Sequence, residues 1–280
     1  MIPARFDYVA VDDADHAIEL LGKREDAKLL AGGHSLLPAM KLRLARPALL
    51  IDVGRVASLS YVRDGDDMIA IGALTRHKDV AESALLQVQC PIVSTVAAQV
   101  GDPQVRHRGT IGGSIAHGDP ASDLPTVVLA LDGELVARGK TGDRTIAARD
   151  FFTGVFQTAL APDEMLVEVR VPKTGLSGWS YVKMHRRAQD WATVAVAAIT
   201  ERSNGSVGKA RVGLTNMGAT SLRASAVEDA IVGGASIADA AAHADEGTEP
   251  PSDHAASSDF RRHLVRVLTR RALEEAAARS

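Results

Sequence analysis

Residues 101–125 read Gly101-Asp-Pro-Gln-Val-Arg106-His-Arg108-Gly109-Thr110-Ile111-Gly112-Gly113-Ser114-Ile-Ala-His117-Gly-Asp119-Pro-Ala-Ser122-Asp123-Leu-Pro125, and the chain is organised around this stretch. Gly109, Gly112 and Gly113 permit positive φ and close approach to a ligand, so their amide N–H groups can converge on an anion. Arg106 and Arg108 add two cations just before them. Far upstream stands a second glycine pair, in Ala31-Gly32-Gly33-His34-Ser35. Two such nests suit the two halves of one extended, phosphate-bearing ligand. On this reading a β-branched residue at Gly112 abolishes binding while leaving a folded chain.

At 280 residues, with 46% hydrophobic and only 4% aromatic content, the chain can build two or three aliphatic cores. A formal net charge of -3 gives no electrostatic footprint for nucleic acid or an anionic membrane. Cys90 is the single cysteine, so an internal disulfide is excluded, and this residue alone holds neither an iron–sulfur cluster nor a structural zinc. That usage suits a reducing cytoplasm. Met1 leads into Ile2-Pro3-Ala4-Arg5-Phe6 without a signal-peptide pattern, and no run approaches the length of an apolar membrane span.

Outward from the centre, the pattern is α+β. Asp12 or Asp13 can cap a helix with the stripe Ala17, Leu20 and Leu21, Lys28 to Ala31 reads as a strand, and Leu36, Leu37, Met40 and Leu44 lie on one helical face with Ser35 as a possible cap. Ala48 to Val53 closes a small βαβ-like unit. Its glycine turn resembles a dinucleotide layout, but Gly32-Gly33-His34-Ser35-Leu36-Leu37 lacks the G-x-G spacing and the third glycine of a Rossmann fingerprint. A larger unit follows from about Ser58, with Pro91 opening a helix, Asp123 placed to cap another, and strands at Met68 to Leu74, Glu134 to Arg138, Arg144 to Ala147 and Met165 to Val171. The last hundred residues predict an antiparallel sheet from Trp179 to Thr215 and then helices. Phe260, Leu264, Val267, Leu268 and Ala272 form the apolar stripe of the final one, with a solvated basic face of arginines.

His34, His107 and His117 have no second ligand at metal spacing, and no Ser-His-Asp arrangement is inferable, so no metal site and no catalytic residue is assigned.

The two Gly-Gly motifs, together with Asp102-Pro103-Gln104-Val105-Arg106 and Asp119-Pro120-Ala121-Ser122-Asp123-Leu124-Pro125, resemble the FAD-binding medium subunit of the molybdenum hydroxylases. Asp190-Trp191-Ala192-Thr193 and Gly213-Leu214-Thr215-Asn216 look most like the carbon monoxide dehydrogenase members. The resemblance implies a vanillyl-alcohol-oxidase-like FAD domain over residues 1–175, with subdomains of about 1–57 and 58–175, and a C-terminal flavoprotein domain over 176–280. It implies that Ala31, Gly32, Gly33, His34 and Ser35, with Thr110, Ile111, Gly112, Gly113 and Ser114, hold the pyrophosphate of a non-covalent FAD. Ser114 stands where Asn is frequent in the family. Asp123 matches an acidic contact to the adenosine end, Leu166 an apolar contact, Lys183 a basic residue near the flavin, and Trp191 an aromatic residue beside the isoalloxazine. As readings of the residues alone, Asp123 is equally a helix cap, Lys183 a surface cation at a strand edge, and Trp191 a core side chain.

The implied function is electron transfer from 2Fe-2S clusters of a partner subunit to an external acceptor. Substrate, with carbon monoxide the nearest match, is then oxidised at a molybdenum cofactor in a large subunit. The implied assembly is a cytoplasmic dimer of heterotrimers, which can sit at the inner face of the membrane. The alternative is a self-contained FAD oxidoreductase, against which the low aromatic content and short final module argue.

Overall fold

The computed structural model describes residues 1–203 and 205–279. Its first unit contains β1 (Asp7–Ala10), α1 (Ala14–Leu21), β2 (Ala27–Leu30), α2 (Leu36–Lys41) and β3 (Leu49–Asp52), the strands pairing in parallel in the order β1-β3-β2. Asp13 caps α1 by accepting from the His16 amide at 2.7 Å, and Ala14, Ala17, Ile18 and Leu21 are the buried stripe. Gly32-Gly33 follows the carboxyl end of the edge strand β2. The helix after it is shorter than the apolar spacing predicts. Ser35 makes no side-chain cap, only Met40 of the anticipated face is fully buried, and Leu44 is 81% exposed. Arg43 adopts φ 61°, a left-handed turn that ends the helical register before Leu44.

The second unit runs through β4 (Val62–Asp64), β5 (Met68–Gly72), α3 (His77–Glu82), α4 (Ala84–Gln89), α5 (Pro91–Ala97), α6 (Pro103–Arg108), α7 (Ile111–His117) and α8 (Asp123–Ala130). It continues with β6 (Glu134–Gly139), β7 (Gly142–Ala147), α9 (Ala148–Phe151), the hairpin β8 (Phe152–Gly154) and β9 (Gln157–Thr158), and β10 (Met165–Pro172). An antiparallel sheet of order β4-β5-β10-β6-β7 carries one wall of the core. Ile92, Val93 and Val96 of α5, Ile111 and Ile115 of α7, and Leu124, Val127 and Val128 of α8 pack against Ile69, Ile71 and Val169 of that sheet. The central glycine stretch is therefore two short helices. α6 is capped by Asp102, which accepts from the Val105 amide at 2.8 Å, and α7 by Thr110.

The third unit has β11 (Gly178–Met184), β12 (Val194–Ser203), β13 (Ser206–Thr215), β14 (Leu222–Arg223), α10 (Ser225–Val232), α11 (Ile237–Ala241) and α12 (Ser258–Arg279), its strands antiparallel in chain order. β12 feeds two cores. Val194, Val196 and Ala198 face Val212, Leu214, Val265, Leu268 and Ala272, whereas Ala195, Ala197 and Ile199 join the core of the second unit. Burial on both faces explains why Val194 to Ile199 is an unbroken apolar run rather than an alternating one. Small side chains let α8 come close. A Cβ on Gly213 would lie 2.8 Å from the Thr126 carbonyl oxygen.

The face of α12 differs from the sequence expectation. Its buried residues are Arg261, Val265, Leu268, Thr269, Ala272, Leu273 and Ala276, while Phe260 is largely exposed. Arg261 is not solvated. Its guanidinium donates to the Thr193 carbonyl and to both oxygens of Asp253 at 2.9 and 2.8 Å, which lets a charged side chain occupy a core position.

Candidate functional site

The two glycine loops touch each other. A Cβ on Gly32 would lie 2.6 Å from the Gly109 Cα and closer still to the Arg108 carbonyl oxygen, and one on Gly112 would lie 2.6 Å from the Ala73 carbonyl oxygen. These glycines therefore answer to chain-against-chain packing. Gly109 has φ -59° and Gly112 and Gly113 are helical, so none of these three takes up the positive φ that the sequence reading allowed them. Gly33, at φ 76°, has it instead.

The amides follow the same division. In the second loop Gly109 N–H donates to the Val105 carbonyl at 2.7 Å, Ile111 to Thr75 at 3.0 Å, Gly112 to Ala73 at 2.9 Å, Gly113 to the Thr110 hydroxyl at 3.1 Å and Ser114 to the Thr110 carbonyl at 3.0 Å. The predicted convergence of these amides on an anion does not occur, because the fold has already paired them. Ile111 itself is fully buried in the core of the second unit and does not line the cleft described below. Arg106 is turned inward, its Nη1 donating to the carbonyls of Val100 at 3.1 Å and Gly101 at 3.0 Å, and neither it nor Arg108 lines the cleft. In the first loop, by contrast, the N–H groups of Gly32, Gly33, His34 and Ser35 have no acceptor among the described residues.

Both loops open onto one cleft of about 960 Å³. Ala31 to Ser35, Thr110 and Gly112 to Ser114 form part of its wall, and Asp123, Leu166, Lys183 and Trp191 bring the other predicted residues to it. Leu166 stands where β10 shifts register against β6 between Leu166 and Glu168, and the carbonyl of the intervening Val167 accepts from the Ala73 amide at 2.9 Å. No arginine lines the cleft among the described residues; its lysines are Lys28 and Lys183, and the open amides of the first glycine loop offer an anion backbone dipoles.

Asp123 is not the cap of α8, which begins after Ser122 with no side-chain cap bond. Its carboxylate accepts instead from the Tyr181 phenol at 2.6 Å and from Lys183 Nζ at 2.8 Å, across from α8 to β11. Lys183 is no surface cation either. The Lys183 and Asp123 side chains are 3% and 7% exposed. Burial raises the Asp123 carboxyl above its ordinary range, with Lys183 and Tyr181 pulling the other way, and burial together with the neighbouring carboxylate pushes the Tyr181 phenol well up. A contact pair this close occupies one place along an extended dinucleotide. Asp123 and Lys183 thus reach the cleft as one contact pair and not as two separate groups.

Trp191 is 63% exposed at the cleft mouth rather than in a core. The segment after it is fixed by Asn216, whose side-chain amide donates to the Ala192 carbonyl at 2.8 Å while its backbone N–H donates to Pro120 at 2.8 Å. Three motifs far apart in sequence are thereby one structure. His77, which the sequence reading passed over, is 3% exposed, lines the cleft and packs on Gly109, where a Cβ would lie 2.8 Å from its Cδ2. Burial, then Arg106 and His34, lower its pKa to about 4, and its Nδ1 has no partner among the described residues. Contacts remote in sequence, the packing on Gly109 and the Arg76–Thr110 bridge, give it this place. His117, half-buried against Phe156 with ring centroids 4.9 Å apart, is also held below its ordinary pKa by burial.

The donor set fits FAD. The cleft sits at the upper end of the range for ligand pockets. Four unpaired amides offer an anion cradle, and Leu166 and Trp191 offer apolar and aromatic surface beside a buried charge pair. Among the described residues no group of three or more His, Cys, Asp or Glu is arranged to hold a metal, and no helix is long and apolar enough to cross a membrane.

Comparison with known proteins gives two family matches: the FAD binding domain in molybdopterin dehydrogenase over residues 4–174, and the CO dehydrogenase flavoprotein C-terminal domain over residues 179–276. The chain is 40% identical to the carbon monoxide dehydrogenase medium chain of Hydrogenophaga pseudoflava, covering 100% of this chain and 99% of the relative. It is 38% identical to the 6-hydroxypseudooxynicotine dehydrogenase complex subunit alpha of Paenarthrobacter nicotinovorans, covering 100% and 97%. A solved structure of the Hydrogenophaga pseudoflava carbon monoxide dehydrogenase, lacking the Mo-pyranopterin moiety of its molybdenum cofactor, superimposes with a TM-score of 0.97 at 42% identity, covering 100% of this chain and 99% of the other.

Proposed function

The chain belongs to the FAD-binding medium subunits of the molybdenum hydroxylases, and from that premise we propose that it is the electron-transfer subunit of a multi-subunit oxidoreductase. In this reading it takes electrons from 2Fe-2S clusters of a small subunit and delivers them to an external acceptor, while a large subunit oxidises the substrate at molybdenum. The assembly is a dimer of heterotrimers. Bound FAD supplies a carrier that accepts electrons from iron–sulfur centres and passes them on to the acceptor.

One observation carries the site assignment: two glycine loops abut at Gly32 and Gly109 and open together onto a single large cleft. The amides of Gly32 to Ser35 bind the pyrophosphate without a covalent bond to His34. Gly113 lets the ligand approach the second loop, with the Thr110 and Ser114 hydroxyls beside it. Leu166 packs against the ligand, the Asp123–Lys183 pair sets the charge at the flavin end, and Trp191 shields the mouth. The FAD-binding domain spans residues 1–175, in subdomains of about 1–57 and 58–175, and the C-terminal domain spans 176–280. The substrate is chosen outside this chain, since near-equal identity links it to a carbon monoxide dehydrogenase and to a 6-hydroxypseudooxynicotine dehydrogenase complex. Carbon monoxide is the first substrate to test.

The test has two steps. Acid precipitation of the purified chain should release FAD, and flavin kept in the pellet would contradict non-covalent binding. The FAD-loaded chain should be reduced and reoxidised by small redox agents but turn over carbon monoxide only with its partner subunits. Substrate-dependent turnover by the chain alone at the rate of the whole complex would replace this reading with a direct oxidase.

A further inference from the structure

Tyr181 stands on β11 two residues before Lys183, so both side chains leave the same face of the strand and reach the first turn of α8. The Asp123 carboxylate is gripped at Oδ1 by the phenol and at Oδ2 by the ammonium. Rotating it off Lys183 breaks a buried hydrogen bond to a charged acceptor, worth about tenfold or more in an equilibrium. Thr215, beside the phenol from β13, donates its own hydroxyl to Thr126 at 2.8 Å. The carboxylate is therefore the acceptor for the Tyr181 proton. Asp123 and Lys183 line the cleft; Tyr181 stands behind them and does not. Water is nearly absent around the pair, so its field is weakly screened.

We propose that Tyr181 is a positioning residue for the bound flavin: by donating to Asp123 Oδ1 it fixes the carboxylate whose Oδ2 holds Lys183 at the cleft wall, and so sets the net charge that the flavin meets. This rests on the FAD reading above. A tyrosine that only filled the core would affect stability when its hydroxyl is removed, and nothing else.

The experiment measures the FAD dissociation constant and the two-electron midpoint potential of the flavin in the full chain within its complex. It compares wild type, Tyr181→Phe, Asp123→Asn and the double variant. Thr269→Val serves as a change that removes a buried hydroxyl of α12, one with no hydrogen-bond partner among the described residues, and leaves Asp123 and the Thr215–Thr126 contact intact. Tyr181→Phe should raise the dissociation constant about tenfold. A loosened carboxylate compensates Lys183 less, which favours the more electron-rich reduced flavin. The potential should therefore rise by about 30 mV, the equivalent of a tenfold difference between oxidised and reduced affinities. Asp123→Asn should shift it the same way, and the double variant should shift it by less than the sum. Thr269→Val should leave it in place.

An unmoved potential in Tyr181→Phe, or shifts that simply add, overturns the proposal. Should Tyr181→Phe not accumulate as folded protein, 3-fluorotyrosine at position 181, a stronger donor of nearly the same shape, should move the potential downward, and an unchanged value again overturns the role. A wild-type complex that binds no FAD at all defeats the flavin reading itself, and is told apart by the absence of a flavin potential in every variant.

Discussion

Gly32-Gly33 and Gly112-Gly113 are the same dipeptide on the same cleft, yet the first leaves its amides unpaired beside a left-handed Gly33 while the second has its amides bonded inside the fold. Glycine in a sequence reports only a missing Cβ. That space can admit a ligand, a positive φ or another stretch of backbone, and here four neighbouring glycines divide among the three uses. Gly33 takes the φ, Gly32 and Gly112 take the close backbone, and Gly113, whose added Cβ would meet only the Thr110 hydroxyl at 2.8 Å and Ala31 Cβ at 3.7 Å, faces the cleft.

The division is broken most severely at Gly32 and Gly112. Alanine at either drives a Cβ into backbone of the opposing segment, so each should lose about 3 kcal/mol or more in urea unfolding, and Gly32→Ala should also fail to retain FAD as the loops part. Gly112→Val is thus a folding defect, not the clean binding defect that the sequence suggested. Next in size is an acid effect at the junction itself. His77 titrates near 4 in the folded chain against its ordinary 6.5, so the unfolded chain binds a proton that the folded one refuses. Stability is complete above about pH 7 and falls as pH drops through that window, by about 2 kcal/mol at pH 5. His77→Gln should flatten this slope in denaturant titrations at several pH values.

Gly33→Ala comes third. It imposes left-handed strain of about 1–2 kcal/mol, a modest loss in the thermal midpoint, while FAD affinity falls because the open amides are displaced. Gly113→Ala is the smallest for the fold, within about 1 kcal/mol, since alanine's helix propensity offsets the crowding of Thr110. Its mark should be a weaker FAD dissociation constant in fluorescence titration, and equal stability with equal affinity would remove Gly113 from the site.

Much of the fold was legible from local pattern. Asp13 sits at a cap position, Pro91 opens a helix, and β6 and β10 alternate or run apolar as their burial requires. What failed needs contacts distant in sequence. Asp123 reads as a cap in the sequence, but it is the first residue of α8, and Tyr181 and Lys183 claim its carboxylate from another unit. Arg261 belongs to an arginine-rich helix, and only the Thr193 carbonyl and Asp253 make it a core residue. The cleft residues Thr110, Gly113, Ser114 and Leu166 were found through motif resemblance, while His77 has no motif and is visible only where Gly109 meets it.

The two-faced strand β12 has a consequence for recombining these subunits. Ala195, Ala197 and Ile199 complete a core that belongs mostly to residues before position 175, so the C-terminal module carries part of its neighbour's interior wall. Exchanging that module with one from a relative transplants a packing surface along with a fold. Grafts should succeed when the α8 face that meets Gly213 is exchanged with it, and should misfit where bulkier side chains replace those alanines, however well each half folds in its own parent.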